Sequence, residues 1–219
     1  MAAGACKERK GICTYDGVVR RGFLASALVI LGNRFTARTF RQREQFRDDY
    51  GCLAASLLRR VEFESVLDVG CANGFLLGPF QEAGKRVGGI ELSNAVLKVL
   101  PPTLVPLVAV GDFALAQGRW DLVCCVEMAE HIQPRRSEEL VDTLVRLAIR
   151  NIYFTAAEPG QSGRGHVNCR AHGEWLHWFA ARGWRLDEER TTGVRTDLAA
   201  LTKASWLQKN SLVLHRSDG

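Results

Sequence analysis

Short apolar runs alternate with amphipathic segments through most of the chain. Runs rich in Val, Ile, Leu and Cys are typical of parallel strands that are covered on both faces. Such runs predict strands at 65–69, 86–90, 107–110, 120–126 and 152–156, with two later strands at 186–189 and 211–215. Apolar residues at helical spacing predict helices at 49–60, 75–83, 93–100 and 138–150, and one that carries Trp175, Trp178 and Phe179 on a single face. This alternation predicts an α/β fold with one doubly wound, mostly parallel sheet.

The first 45 residues do not share this alternation. The run Arg20-Arg21-Gly22-Phe23-Leu24, with the apolar residues that follow it, looks like a twin-arginine export signal. The apolar run is short for that role, however, and no small-residue cleavage site follows it. We therefore expect residues 1–45 to form a retained, N-terminal helical extension that covers the substrate pocket. Residues 46–219 are expected to form the single domain.

Composition excludes several classes of protein. The chain has 219 residues, of which 47% are hydrophobic and 24% charged, which is enough to bury a full core. No segment approaches the roughly 20 apolar residues of a membrane-spanning helix. The net charge is +5, but the cations do not gather into one run, so nucleic acid is not an expected partner. Seven cysteines without a CxxC pair fit a reducing compartment, and we expect a cytoplasmic protein.

Chemistry-bearing residues follow the first three strands of the predicted sheet. Ligands of open α/β sheets bind at the carboxyl ends of the strands. A turn from Gly70 to Gly74, before a helix, brings backbone N–H groups close to a ligand. Its glycines are four residues apart, unlike the GxGxxG of dinucleotide sites. Glu91 is placed to accept two ribose hydroxyls, and Asp112 with Phe113 supplies an acceptor for an adenine amino group and an aromatic face.

Four segments in this order resemble the class I S-adenosylmethionine-dependent methyltransferases. They are VLDVGCANG (66–74), GGIELS (88–93), VGDF (110–113) and WDLVCCVEMAEHI (120–132). The resemblance covers about residues 50–216 and implies a Rossmann-like fold with S-adenosylmethionine as cofactor. It implies that Glu91 holds the ribose and that Asp112 with Phe113 holds the adenine. The remaining residues of this cofactor site are expected to be Asp68, Gly70, Ala72, Gly74, Leu92 and Glu127. Ala72 stands where the family usually has a glycine.

A candidate metal site follows the fourth strand. If the turn is helical, Glu127, Glu130 and His131 lie at i, i+3 and i+4 on one face. His166, after the fifth strand, supplies a fourth ligand, and this mixed oxygen and nitrogen set suits Mg²⁺, Mn²⁺ or Zn²⁺. The ExxEH run is similar to those of ubiquinone-pathway O-methyltransferases and small-RNA 3′-terminal 2′-O-methyltransferases. In the second group a later histidine completes a Mg²⁺ or Mn²⁺ site that grips two neighbouring hydroxyls. The resemblance thus implies catalytic roles for His131 and His166.

Three functions remain open from the sequence. The favoured one is O-methylation of a small hydroxylated metabolite, such as a sugar, a polyol or a phenol, with S-adenosylmethionine and a divalent Mg²⁺ or Mn²⁺. The alternatives are RNA 2′-O-methylation, and metal-free N- or O-methylation in which His131 acts as the general base. A non-catalytic scaffold is disfavoured, because Gly70, Glu91 and Asp112 are all intact. A small-molecule substrate is therefore the expected partner.

Overall fold

The computed structural model describes residues 35–217, and within them one sheet of seven strands forms the centre of the molecule. The strands are β1 (Ser65–Val69), β2 (Arg86–Glu91), β3 (Val108–Val110), β4 (Trp120–Val126), β5 (Ala148–Thr155), β6 (Trp184–Leu186) and β7 (Leu212–Arg216). Their order across the sheet is β3-β2-β1-β4-β5-β7-β6. Neighbours among the first five strands run parallel, whereas β7 pairs antiparallel with both β5 and β6. The prediction of a doubly wound, mostly parallel sheet is confirmed.

Helices cover both faces of this sheet. They are α1 (Ala37–Gln42), α2 (Arg47–Arg60), α3 (Leu77–Glu82), α4 (Ser137–Leu147), α5 (His172–Ala180), α6 (Glu188–Asp197) and α7 (Trp206–Asn210). One core cluster contains Leu53 and Leu57 of α2, and the other contains Leu144 of α4 and Trp175 of α5. Among the described residues, no helix has both the length and the apolar character required to cross a membrane.

Three predicted elements differ from the observed ones. The helix expected at 138–150 ends at Leu147, because residues 148–150 already belong to β5. The helix expected at 93–100 is a short 3₁₀ turn, Asn94–Lys98. The strand expected at 186–189 ends at its first residue, because the next side chain, that of Asp187, accepts a hydrogen bond from the backbone N–H of Arg190. This N-cap starts α6, so the chain is helical where an extended segment was expected.

Residues 35–46, which we call the N-terminal strap, lie across the carboxyl edge of the sheet. The carboxyl edge denotes the edge at which the parallel strands have their carboxyl ends. Asn73, in the turn after β1, donates from Nδ2 to the backbone oxygen of Phe40 at 3.0 Å. Ser93, in the turn after β2, donates from Oγ to the backbone oxygen of Phe35 at 2.6 Å. Most of the predicted N-terminal extension, with its twin-arginine-like run, lies outside the described residues. The boundary at residue 45 stays a prediction.

Candidate active site

The turn after β1 passes close to its neighbours, and its glycines are required for two reasons. Gly70 and Gly74 have φ angles of 85° and 70°, in the left-handed region. A Cβ atom on Gly70 would also lie 2.6 Å from the Cγ of Met128. Ala72 adopts a φ of 42° in the same turn, a conformation that costs a residue with a side chain about 1–2 kcal/mol. This backbone geometry explains why glycine is usual at that position.

Glu91, at the end of β2, connects the first two turns of the carboxyl edge. Its carboxylate accepts hydrogen bonds from the backbone N–H of Ala72 at 3.3 Å and from that of Ser93 at 3.0 Å. The side chain is 9% exposed, and burial raises the pKa of the carboxyl above its ordinary value. Each carboxylate oxygen keeps one lone pair free of these bonds, so Glu91 can accept two ribose hydroxyls. Leu92 follows it, half-buried, at the same edge.

Asp68 and Arg43 form a charged pocket beside the glycine turn. The Oδ1 atom of Asp68 is buried and has no hydrogen-bond partner among residues 35–217. Burial, with the charge of Glu91, raises the pKa of Asp68 to about 7, and the nearby Arg43 charge opposes this rise. Arg43 lines the same pocket and donates to the Tyr50 hydroxyl at 3.1 Å. An acid beside a guanidinium suits a ligand that carries both a positive group and a carboxylate, as an amino acid does.

Arg43 was not predicted as a site residue. This residue comes from the N-terminal strap, within a polar segment that matches no motif, in a chain with many other arginines. Arg43 differs from the other arginines only because the strap that carries it folds over the edge of the sheet.

Asp112 and Phe113, after β3, are both in contact with Arg136. The guanidinium of Arg136 donates to the two Asp112 oxygens at 2.7 Å each, in a bidentate pair. Burial raises the pKa of Asp112, but the hydrogen bonds from Arg136 and from the backbone of Ala114 outweigh it and hold that pKa below its ordinary value. The Phe113 ring is buried, and the guanidinium lies 4.3 Å from its centroid. Arg136 thus covers one face of the Phe113 ring, and the role of this ring as an aromatic face for adenine stays a prediction.

Glu130, His131 and His166 come together after β4 and β5. One ligand atom from each lies within 4.8 Å of the others. The Oε1 atom of Glu130 is 4.0 Å from the Nε2 atoms of both histidines. Glu130 is fully buried, and neither of its carboxyl oxygens has a hydrogen-bond partner in the described part of the chain. Burial and the neighbouring Glu127 charge raise the pKa of Glu130 to about 8.

Both imidazoles are oriented by backbone carbonyl groups. His131 Nδ1 lies 3.2 Å from the Gly165 oxygen, and His166 Nδ1 lies 3.0 Å from the Gln161 oxygen. Because a carbonyl oxygen only accepts, each neutral ring donates from Nδ1 and leaves the Nε2 lone pair free. Burial lowers the pKa of His131 to about 4, so this ring is neutral at pH 7. Histidine ligands of metals almost always make such a hydrogen bond through their other ring nitrogen. The Glu130 carboxyl oxygen and the two Nε2 atoms are therefore suitable ligands for a divalent cation.

Glu127 lies beside this cluster and is not part of it. Its φ is 50°, and the next residues, Ala129–His131, form a 3₁₀ turn instead of an α-helix. The expected helical face that joins Glu127 to Glu130 and His131 is therefore wrong. The Oε1 atom of Glu127 accepts a hydrogen bond from Asn210 at 2.9 Å, and burial raises the pKa of its carboxyl. Glu127 acts on the cluster through its charge.

Comparison with known proteins identifies the family of this chain. The family described as "Methyltransferase domain" matches residues 38–208, and the chain belongs to that family. The expected resemblance to S-adenosylmethionine-dependent methyltransferases is confirmed at this level.

Two curated relatives are similar over a limited segment. The ubiquinone biosynthesis O-methyltransferase of Thiobacillus denitrificans is 40% identical over 78 residues, which are 32% of this chain and 34% of that protein. The enzyme of the same name from Chromobacterium violaceum is 38% identical over 93 residues, 38% of this chain and 40% of that protein. The chain thus matches well under half the length of these relatives.

Two solved structures share the fold at low sequence identity. Magnesium protoporphyrin IX methyltransferase from Synechocystis PCC 6803, with bound S-adenosylmethionine, has a TM-score of 0.65 and 16% identity, over 90% of this chain and 100% of that one. A sugar N-methyltransferase from a Streptoalloteichus species has a TM-score of 0.58 and 15% identity, over 95% of this chain and 100% of that one.

Proposed function

We propose that this protein is an S-adenosylmethionine-dependent O-methyltransferase that uses a divalent cation to activate a small hydroxylated substrate, such as a sugar, a polyol or a phenol. The observation that carries the proposal is the buried Glu130 carboxylate between two Nε2 lone pairs. Its two oxygens are without hydrogen-bond partners among the described residues, and an unpaired buried carboxylate is costly. A cation at this point would offset that cost.

The nucleoside part of the cofactor is assigned to the first three turns of the carboxyl edge. Glu91 accepts the ribose hydroxyls, and Asp112 accepts the adenine amino group. Arg43 pairs with the carboxylate of the methionine part, and the buried Asp68 acid faces its positive groups. Arg43 and Asp68 are thus matched to the charged groups of S-adenosylmethionine, and Glu91 and Asp112 to its uncharged hydroxyl and amino groups.

The metal is assigned to Glu130, His131 and His166. The carboxylate supplies negative charge and the two neutral imidazoles supply lone pairs, a set that suits Mn²⁺ and is acceptable to Mg²⁺. Three protein ligands leave coordination positions for neighbouring hydroxyls of a substrate. A bound divalent cation lowers the pKa of a hydroxyl that it holds, which is the chemistry that methylation of an alcohol or phenol requires.

The metal-free alternative, with His131 as general base, is disfavoured by burial. A base whose pKa is about 4 has little driving force to remove a hydroxyl proton near neutral pH. The names of the curated relatives support oxygen as the methylated atom.

The experiment is a methyl-transfer assay of the full chain with S-adenosylmethionine and a panel of catechols, sugars and polyols, followed by mass spectrometry of the products. We expect methylation that EDTA abolishes and Mn²⁺ or Mg²⁺ restores. His166→Ala should not be restored, whereas His177→Ala, an exposed histidine of α5, should behave as the wild type. Turnover that survives dialysis against EDTA would contradict the metal, and failure to methylate any hydroxyl acceptor would contradict the substrate class.

A further inference from the structure

We infer that Arg136 is a positioning residue that makes the nucleoside subsite selective for a purine with a 6-amino group, because its bidentate bonds fix the orientation of the Asp112 carboxylate, a group that accepts hydrogen bonds and does not donate them. The inference rests on the proposed function and deepens it, since it identifies what sets the choice of base.

Arg136 is held on three sides before any ligand binds. Two of its nitrogens donate to Asp112 at 2.7 Å, and Nε donates to Glu139 at 2.7 Å. A further bond from Nη2 reaches the other Glu139 oxygen at 3.1 Å. The face of the guanidinium lies on the Phe113 ring, 4.3 Å from its centroid. Since these contacts fix the guanidinium plane, they also fix the plane of the Asp112 carboxylate bound to it.

The hydrogen bonds at Asp112 leave room for one more donor. Its Oδ1 atom accepts from the backbone N–H of Ala114 at 3.0 Å and from Arg136, which uses both lone pairs. Its Oδ2 atom accepts from Arg136 alone, and one lone pair remains. A single N–H of an exocyclic amino group fills that position.

The ion pair also determines which bases are rejected. An ionised carboxylate only accepts hydrogen bonds, so a 6-oxo oxygen placed against it has no proton to share. Because the bidentate bonds from Arg136 fix the plane of Asp112, the free Oδ2 lone pair keeps one direction and cannot turn away from the base. Binding of the 6-oxo base would leave buried acceptors without hydrogen-bond donors, and this cost discriminates strongly between the two bases.

Arg182 provides a matched control. It makes comparable ion pairs with Glu138 and Asp142 of α4, the helix that begins directly after Arg136. It has a similar side-chain exposure, 20% against 25% for Arg136, but has no bond to Asp112 among the described contacts.

The test compares S-adenosylhomocysteine with S-inosylhomocysteine, which carries a 6-oxo group, by calorimetric titration of the full chain. In wild type we expect the adenosyl compound to bind about tenfold or more tightly than the inosyl compound. In Arg136→Gln that ratio should fall to within about threefold, and Arg136→Lys, which keeps the charge but loses the planar fork, should give an intermediate ratio. Arg182→Gln should keep the wild-type ratio.

A variant ratio equal to that of the wild type would overturn the inference, even if both compounds bind more weakly, because a purely structural role lowers both affinities together. A wild-type ratio near one would overturn it as well. In either case tight binding of S-adenosylhomocysteine leaves the proposed function intact. If wild type binds neither compound, the proposed function fails together with the inference. Arg136→Lys keeps the test decisive if Arg136→Gln does not fold.

Discussion

The position of His166 depends on a single glycine. Its Nδ1 atom is held by the Gln161 oxygen, and one face of its ring packs against Gly163. A Cβ atom at Gly163 would lie 2.0 Å from His166 Nε2, far inside van der Waals contact. Because the ring is held at Nδ1, it cannot simply swing away, so any side chain at Gly163 must displace the proposed metal ligand.

Gly163→Ala is therefore expected to weaken Mn²⁺ binding by about tenfold or more, the usual cost of disturbing the groups that orient a metal ligand. Titration with Mn²⁺ followed by electron paramagnetic resonance measures this directly, with thermal unfolding to confirm that the variant is folded. Gly173→Ala is the control, since a Cβ atom there meets nothing within 4 Å in the part of the chain described. Equal Mn²⁺ affinities for Gly163→Ala and wild type would contradict a ligand role for His166.

Single residues could be predicted where a strand ends and not where the backbone departs from regular geometry. Glu91 and Glu130 follow clear apolar runs, so the pattern places them at the carboxyl edge. Glu127 was grouped with Glu130 by helical spacing, but its left-handed φ turns the side chain toward Asn210. Residue spacing alone does not reveal such a φ angle.

At the scale of elements, the N-terminal strap completes the pocket that is proposed to hold the amino-acid end of the cofactor. It is tied to the turns after β1 and β2 through Asn73 and Ser93, and it carries Arg43 into the pocket that contains Asp68. The strap also brings Phe35 within 5.3 Å of the His131 ring, between ring centroids. The part of the chain that we propose to hold the amino-acid end of the cofactor therefore precedes the four motif segments.

Arg43→Gln is expected to weaken binding of S-adenosylhomocysteine by about tenfold or more, because a charge-assisted bond to its carboxylate is lost. Binding of 5′-methylthioadenosine, which has no carboxylate, should not change. Competition assays with both compounds measure the two affinities, and Arg41→Gln, an exposed arginine of the same strap, should match the wild type. Equal losses for the two compounds would show that Arg43 supports the strap and does not read the carboxylate.

The elements differ in how far the sequence determines them. Strands β1 and β4 are predictable, since they are almost completely buried and each forms a nearly continuous apolar run. Helix α6 is not predictable from the sequence, because it buries only Thr191 and Val194 and contains a glycine. It is held by tertiary contacts, such as the ion pair of Asp197 with Arg60 at 2.6 Å, which join residues that are distant in sequence.

At the scale of the whole molecule, acids with raised pKa values gather along one edge of the sheet. Burial raises the pKa values of Asp68, Glu91, Glu127 and Glu130. None of the four has an Arg or Lys ion-pair partner within the described part of the chain, as expected of a site that binds cationic ligands. Their charges are then balanced when a positive cofactor or a divalent cation binds.

The raised pKa values along this edge predict how the free energy of unfolding depends on pH. The pKa of Asp68 rises from 3.8 to about 7 on folding, so between these values the folded chain holds a proton that the unfolded chain releases. The free energy of unfolding of the ligand-free protein should therefore fall as pH rises from about 4 to about 7. Asp68→Asn should flatten this fall, whereas Asp48→Asn, an exposed acid of α2, should not.

Thermal unfolding across that pH range checks the prediction. In wild type, S-adenosylmethionine should raise the unfolding midpoint more at high pH than at low pH, since its positive charges favour the ionised acid. Parallel stability curves for wild type and Asp68→Asn would contradict the account of the buried acid.

The central claim, that the carboxyl edge binds S-adenosylmethionine through Glu91, is tested most directly by calorimetric titration of S-adenosylhomocysteine into the full chain. We predict one binding site in wild type and a loss of affinity of at least about tenfold in Glu91→Ala, on the scale of about 1.5–3 kcal/mol for hydrogen bonds to a charged group. Glu82→Ala, an exposed acid at the end of α3, should bind as the wild type does. An absence of binding heat in wild type, or undiminished affinity in Glu91→Ala, would contradict the claim.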